Sequence, residues 1–149
     1  MSLESNIMEQ LKQAMRDKNE VALRTLRAIK AAILVEKTAT GAKEELTEAD
    51  ELKMLQKLVK QRKDSFQIYT EQNRADLAQV EADEIGVIEQ FLPVPLSQEV
   101  LEAKVKEIIA QVGATSAADL GKVMGVANKA LAGQVEGKVL ADTIKSLLA

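Results

Sequence analysis

The sequence predicts an all-α protein, and three observations carry that prediction. No segment shows sustained alternation of apolar and polar residues with period two, and clusters of β-branched residues are scarce. Apolar residues make up 46% of the chain, yet they include only two Phe, one Tyr and no Trp, so a core must be built from Ala, Leu, Val, Ile and Met. That alphabet favours helices. Ser, Thr, Asp and Asn also recur just before apolar-periodic runs, where helix starts are signalled.

Taken in order, Leu3, Ile7, Leu11, Ala14 and Met15 stand at helical spacing and predict a helix over 3–17. Ala22, Leu23, Leu26, Ile29, Ile33 and Leu34 predict a second over 20–37. The stretch "TATGAKEE" interrupts the pattern and reads as a mobile loop. Thr47 with Asp50 makes a capping box that opens a long helix from Glu48 to about Tyr69, and Asn73 is placed to cap a fourth, ending near Phe91. Both prolines fall in "FLPVPLS", and each disfavours helix in the residue before it, so a boundary is expected there. Ser97 can cap a helix to Val112 that Gly113 closes. Ser116 with Asp119 is a second capping-box pattern, for a helix from Ala117 to about Leu131 that Gly133 terminates; a last helix covers Lys138 to Leu148. The expected organisation is a four-helix N-terminal subdomain over 1–92, a proline-containing linker over 93–96 and a three-helix C-terminal subdomain over 97–149.

The chain of 149 residues can bury a real core, but that length suits one domain or two small ones. There is no Cys and no His, which removes any disulfide framework, the two commonest zinc ligands and the usual catalytic base. No cofactor, no metal and no catalytic residue is therefore expected. The start, "MSLESNIMEQLKQAM", has no uninterrupted apolar stretch, so neither a signal peptide nor a membrane span is read there, and a soluble cytoplasmic protein is predicted.

Net charge is −3, but its distribution says more than its sum. Leu52 to Lys63 holds five basic residues and no acid, whereas Glu71 to Glu89 holds six acids and one Arg. On the third helix Leu55, Leu58, Val59, Phe66 and Tyr69 form one apolar stripe with Arg62 in its middle. On the fourth, Leu77, Val80, Ile88 and Phe91 form another, with Glu84 in the middle and Glu81 at the edge. A guanidinium and a carboxylate so placed on neighbouring antiparallel helices suggest a register-fixing structural ion pair between Arg62 and Glu84. A general acid–base role would need a second convergent polar group, and none is evident.

Lys53, Lys57 and Lys60, with Lys63 at the edge, make a row opposite the apolar stripe. Such a row is either a solvated helix face or a track for a polyanion backbone. The stretch "GKVMGVANKALAGQVEGK" over 121–138 concentrates four of the seven glycines beside Lys122, Lys129 and Lys138. It is no phosphate loop of the Walker type, which needs a preceding strand, its own glycine spacing and a Ser or Thr after the lysine. Gly121 and Gly125 fall inside a helix, on the flank or back of the face formed by Leu120, Val123, Met124, Ala127, Ala130 and Leu131. They leave a bare strip that either packs against a neighbouring helix or the other subdomain, or receives a partner or RNA backbone.

"LRTLRAIKAAI", "KLVKQRKDS", "EIGVIEQFLPVPLS", "GATSAADLGKVMGVANKAL" and "EGKVLADTIKSLL", in this order, resemble the GatB/YqeY family, and within it the stand-alone YqeY-like proteins. The resemblance covers nearly the whole chain. It implies an all-helical, two-subdomain protein similar to the C-terminal region of the B subunit of the tRNA-dependent amidotransferase, where the helical tail helps to hold tRNA. Gly121 to Gly125, with Gly137 and Lys138, fall in the part similar to that tail. The chain departs from the family's more basic pattern there, with Gln134 and Glu136 in the turn. The resemblance and the segregated charge together suggest a non-catalytic module that binds tRNA or a tRNA-handling enzyme through Lys122, Lys129 and Lys138, with the Lys53, Lys57, Lys60 and Lys63 row as a further candidate to which the resemblance attaches no role. The alternative is a protein-interaction adaptor without RNA binding. A third, less favoured reading is a carbon–nitrogen ligase with glutamine as amide donor, the family-level label, whose chemistry in the amidotransferase belongs to a separate domain that this chain is expected to lack. Partners are thus tRNA or a tRNA-handling protein, with no membrane, and oligomeric state is open.

Overall fold

The computed structural model describes residues 2–39, 41, 45–94 and 96–149. Within them the chain is all-helical, with no strand. The helices are α1 (Leu3–Asp17), α2 (Glu20–Ala39), α3 (Glu48–Glu71), α4 (Ala75–Glu89), α5 (Gln98–Val112), α6 (Leu120–Ala130) and α7 (Gly137–Leu148), with a short 3-10 turn over Ala117–Asp119. Two compact units follow one another, residues 1–92 and 93–149. Most of the loop expected over "TATGAKEE", and Pro95 of the expected linker, lie outside the described residues.

Local chemistry sets several of these ends. The Ser5 amide donates to Ser2 Oγ at 3.2 Å and opens α1. At α3 the capping box is reciprocal: the Asp50 amide donates to Thr47 Oγ1 at 3.1 Å, and the Thr47 amide donates to Asp50 Oδ2 at 3.2 Å. Together these satisfy two of the four amides that a helix start leaves unpaired. Ser97 caps α5 by accepting from the Val100 amide at 3.3 Å, and Gly113 closes that helix at φ +69°, a conformation a side chain would strain.

In the first unit α2 packs against α1, α3 and α4, and α3 and α4 form a helical hairpin. Ile7, Leu11, Leu26, Ile29, Ile33, Leu55, Val59 and Ile88 are its buried centre. Ile29 has no exposed surface, so truncating it to Ala would cost about 2–5 kcal/mol through lost burial and the cavity left behind. In the second unit α5, α6 and α7 pack pairwise around Leu101, Val105, Val123, Ala127, Leu140 and Ile144. Gln98 Nε2 donates to Thr143 Oγ1 at 3.2 Å and ties α5 to α7.

Several sequence expectations are corrected here. Asn73 does not cap α4; it takes φ +58° in the turn, and Arg74 occupies the cap position without a side-chain capping bond, its guanidinium paired instead with Asp76. Ser116 makes no capping bond either. The Asp119 carboxylate instead accepts from the Thr115 amide at 3.0 Å, which winds Ala117–Asp119 as a 3-10 turn and delays α6 to Leu120. Met15 and Leu34 are exposed although both were counted with the apolar stripes, because each lies about 100° around its helix from the buried Ala14 or Ile33. Phe66 and Val80 are also exposed, since the buried residues of α3 end at Val59 and Ala78 takes the inward position on α4. Ala130 points outward from α6.

Candidate functional site

On α6, Val123 and Ala127 are completely buried and fix which side of the helix faces the core. Gly121, Lys122, Gly125 and Lys129 are consequently exposed. A Cβ built at Gly121 or Gly125 would meet no atom within 4 Å. Among the described residues of its own unit the strip is therefore open, so packing by a neighbouring helix of that unit does not account for its glycines. Gly121, Lys122, Gly125, Val126, Lys129 and Ala130 line a shallow depression along the helix. Lys129 stands in the last turn of α6, where the helix dipole favours a cation.

Asp119 adjoins this strip at the start of α6. The Thr115 amide holds its carboxyl below the usual 3.8, with the Ser116 amide and the charge of Lys122 acting in the same direction. Lys138 is the second residue of α7 and is exposed, in a first turn that carries no acid. There the unpaired amides already create positive potential, so this cation is disfavoured locally and raises the potential further.

On α3, Lys53, Lys57, Lys60 and Lys63 are all exposed, on the side away from Met54, Leu55 and Val59. None of the four is ion-paired among the described residues. The α6 lysines and the α3 row belong to different units, and each surface is complete without the other.

Between α3 and α4, Arg62 Nε lies 3.5 Å from Glu84 Oε1, with side chains only 15% and 11% exposed. Arg62 Nη1 donates to the Leu58 carbonyl at 3.0 Å, while its Nε is buried without a hydrogen bond. Sequence reasoning missed the third member: Arg24 Nε of α2 lies 3.7 Å from Glu84 Oε2. Periodicity gave no signal for it, because Arg24 lies about 100° around α2 from the buried Leu23 and is exposed. Burial pushes the Glu81 carboxyl up from 4.5 and the neighbouring Glu84 charge adds to this, against the pull of Arg62 and Arg24. Two guanidiniums and two carboxylates thus balance where three helices converge. That arrangement ties α2, α3 and α4 together, and it brings more polar groups to one place than the sequence indicated. Among the described residues no group of three Asp or Glu is placed to hold a metal ion.

A family model described as Yqey-like protein matches residues 4–148. The chain belongs to the YqeY-like family. That family is related to the C-terminal region of the amidotransferase B subunit. Curated relatives include the protein called altered inheritance of mitochondria protein 41, mitochondrial, from three yeasts. The chain is 36% identical to that of Clavispora lusitaniae over 104 residues, covering 68% of this chain and 59% of the relative. It is 38% identical to that of Meyerozyma guilliermondii over 114 residues, 72% of this chain and 57% of the relative. For Lachancea thermotolerans the identity is 30% over 109 residues, 72% and 58%. The alignments thus span under three fifths of the length of these relatives. Among the described residues no helix of this YqeY-like chain is long and apolar enough to cross a membrane.

Proposed function

We propose that this YqeY-like chain is a non-catalytic helical module that binds tRNA or a tRNA-handling enzyme. The observation that carries the reading is the open glycine strip of α6 with Lys122 and Lys129 exposed along it. Lysines at these positions neutralise backbone phosphates and release counterions, and the missing Cβ atoms let that backbone come close. Lys138, and on the other unit Lys53, Lys57, Lys60 and Lys63, extend the same chemistry. Exposed aromatic residues for stacking on unpaired bases are scarce, so the RNA is read by shape and backbone. The cytoplasm expected from the sequence is part of this proposal; the relatives' names place those proteins in mitochondria.

Anisotropy of a labelled tRNA at low salt tests it. Binding by the unmodified chain, lost in the variant carrying Lys122→Glu and Lys129→Glu, supports the reading. No binding at low salt, or binding indifferent to the two reversals, removes it.

A protein-adaptor reading draws on Val126, 38% exposed and lining the same depression, since an apolar contact suits a protein partner better than a phosphate backbone. A complex that survives nuclease and high salt and is lost on Val126→Ser would favour it.

A further inference from the structure

Helices α2 and α4, which pack side by side in the first unit, carry outward faces of opposite character. From Val21 to Val35 there are three basic residues and no acid. Arg27, Ala31 and Leu34 stand at i, i+4 and i+7 on one exposed line, flanked by Lys30 and Val35. Leu34 and Val35 are 64% and 65% exposed, more than any other described large apolar residue of that unit. Ala75 to Gln90 contains five acids and no base. Glu81 and Glu84 turn inward toward Arg62, whereas the half-buried Asp83, which accepts from Gln79 Nε2, and the exposed Glu89 remain on the outer side with the exposed Val80. Gly86 sits in the same outer face, and a Cβ there would meet nothing within 4 Å.

Each face alone leaves apolar surface in water, and each lacks the charge that the other supplies. Arg27 and Lys30 are in no ion pair among the described residues, nor is Glu89. Because both faces belong to one chain, a two-fold axis can satisfy them together: α2 of one copy meets α4 of the other, and the same contact is repeated. Gly86 admits the side chains of the opposing helix at close range, and Leu34 and Val35 are the apolar residues it would bury beside Val80.

We infer that a second copy of this chain covers these faces, forming a two-fold dimer in which α2 of each protomer lies on α4 of its partner. The lysines assigned to RNA are not part of this contact. Two helix strips per protomer make a small contact, at or below the roughly 800 Å² per partner of standard-size complexes, so association is expected to be weak.

Sedimentation of the full chain from about 5 to about 500 µM, across the range where such weak interfaces associate, reads the equilibrium. Arg27→Glu with Lys30→Glu makes both contacts of the homodimer acid on acid; Asp83→Lys with Glu89→Lys makes both base on base. Each variant alone should associate at least tenfold more weakly than the unmodified chain. An equimolar mixture of the two should recover association, because both contacts of the mixed dimer then pair opposite charges. All four residues reach the surface, and the helical circular dichroism of each variant confirms folding. A chain that stays monomeric throughout the range overturns the inference, as do reversals without effect or a mixture that fails to recover.

Discussion

Arg62 Nε and Glu84 Oε1 stand 3.5 Å apart, and the same carboxylate reaches Arg24 Nε at 3.7 Å through its other oxygen. One carboxylate thereby fixes the register of α2, α3 and α4. Glu84→Ala leaves Arg62 confined among apolar neighbours without its counter-charge, which should cost about 3 kcal/mol in the unfolding free energy of the first unit. Replacing Arg62 and Glu84 together by Met and Leu should recover most of that loss, because no unpaired charge is then buried. Chemical denaturation of the three proteins makes the comparison.

The pH dependence follows from Glu81. Its carboxyl lies above 4.5 in the folded chain because burial and the Glu84 charge disfavour ionisation. A raised carboxyl contributes stability that is fully present below the unfolded value and is lost as pH rises through the folded one. Glu81→Gln should therefore raise the melting temperature at pH 7 and leave it unchanged at about pH 3.5, well below that onset. Asp119 has the opposite sign: held below 3.8 by the Thr115 amide, it contributes stability above that value and loses it as pH falls through the lowered one. Asp119→Asn should thus destabilise the second unit at pH 7 and make little difference in strong acid. Thermal melts across the acid range separate the two.

Lys18 ends α1 at φ +52°, a left-handed conformation that an L side chain adopts at a cost of roughly 1–2 kcal/mol and glycine adopts freely. Lys18→Gly should therefore stabilise the first unit, by about 1 kcal/mol or less once the greater freedom of glycine in the unfolded chain is counted. The denaturation midpoint reports it.

Gly125 occupies the middle of α6 with open space where a Cβ would be, and no packing inside the unit compensates for it. Gly125→Ala should stabilise the second unit by roughly 0.8–1 kcal/mol, and Gly121→Ala by less because Gly121 lies in the first turn. If a backbone docks on the strip, the same stabilising variants weaken tRNA binding. That opposition between stability and binding separates a docking strip from a mere helix flaw.

Much of this was legible in the sequence. The apolar period gave α1 and α2 their boundaries within two residues, and the Thr47–Asp50 box opened α3 where the pattern placed it. Ser97 and Gly113 did the same for α5. The Arg62–Glu84 juxtaposition followed from two polar residues centred on apolar stripes. What failed depended on tertiary position. Phe66 belongs to its stripe by periodicity, but the buried part of α3 stops at Val59. Ser116 and Asp119 had the spacing of a box, yet the Asp119 side chain took the Thr115 amide instead. Arg24 could not be assigned to Glu84 from periodicity alone, because that contact depends on how α2 is laid across α4. The α6 strip is visible in the sequence as glycines away from the core face of a helix, and only the packing of α5, α6 and α7 shows that nothing within their unit fills it.

If the α6 lysines hold a phosphate backbone, the salt dependence of tRNA affinity reports it. Each phosphate contact contributes a slope of roughly 0.7–0.9 to log affinity against log salt, so Lys122→Gln with Lys129→Gln should flatten the slope by roughly 1.5. A slope unchanged by the two substitutions, or no measurable affinity at low salt in the unmodified chain, would contradict it.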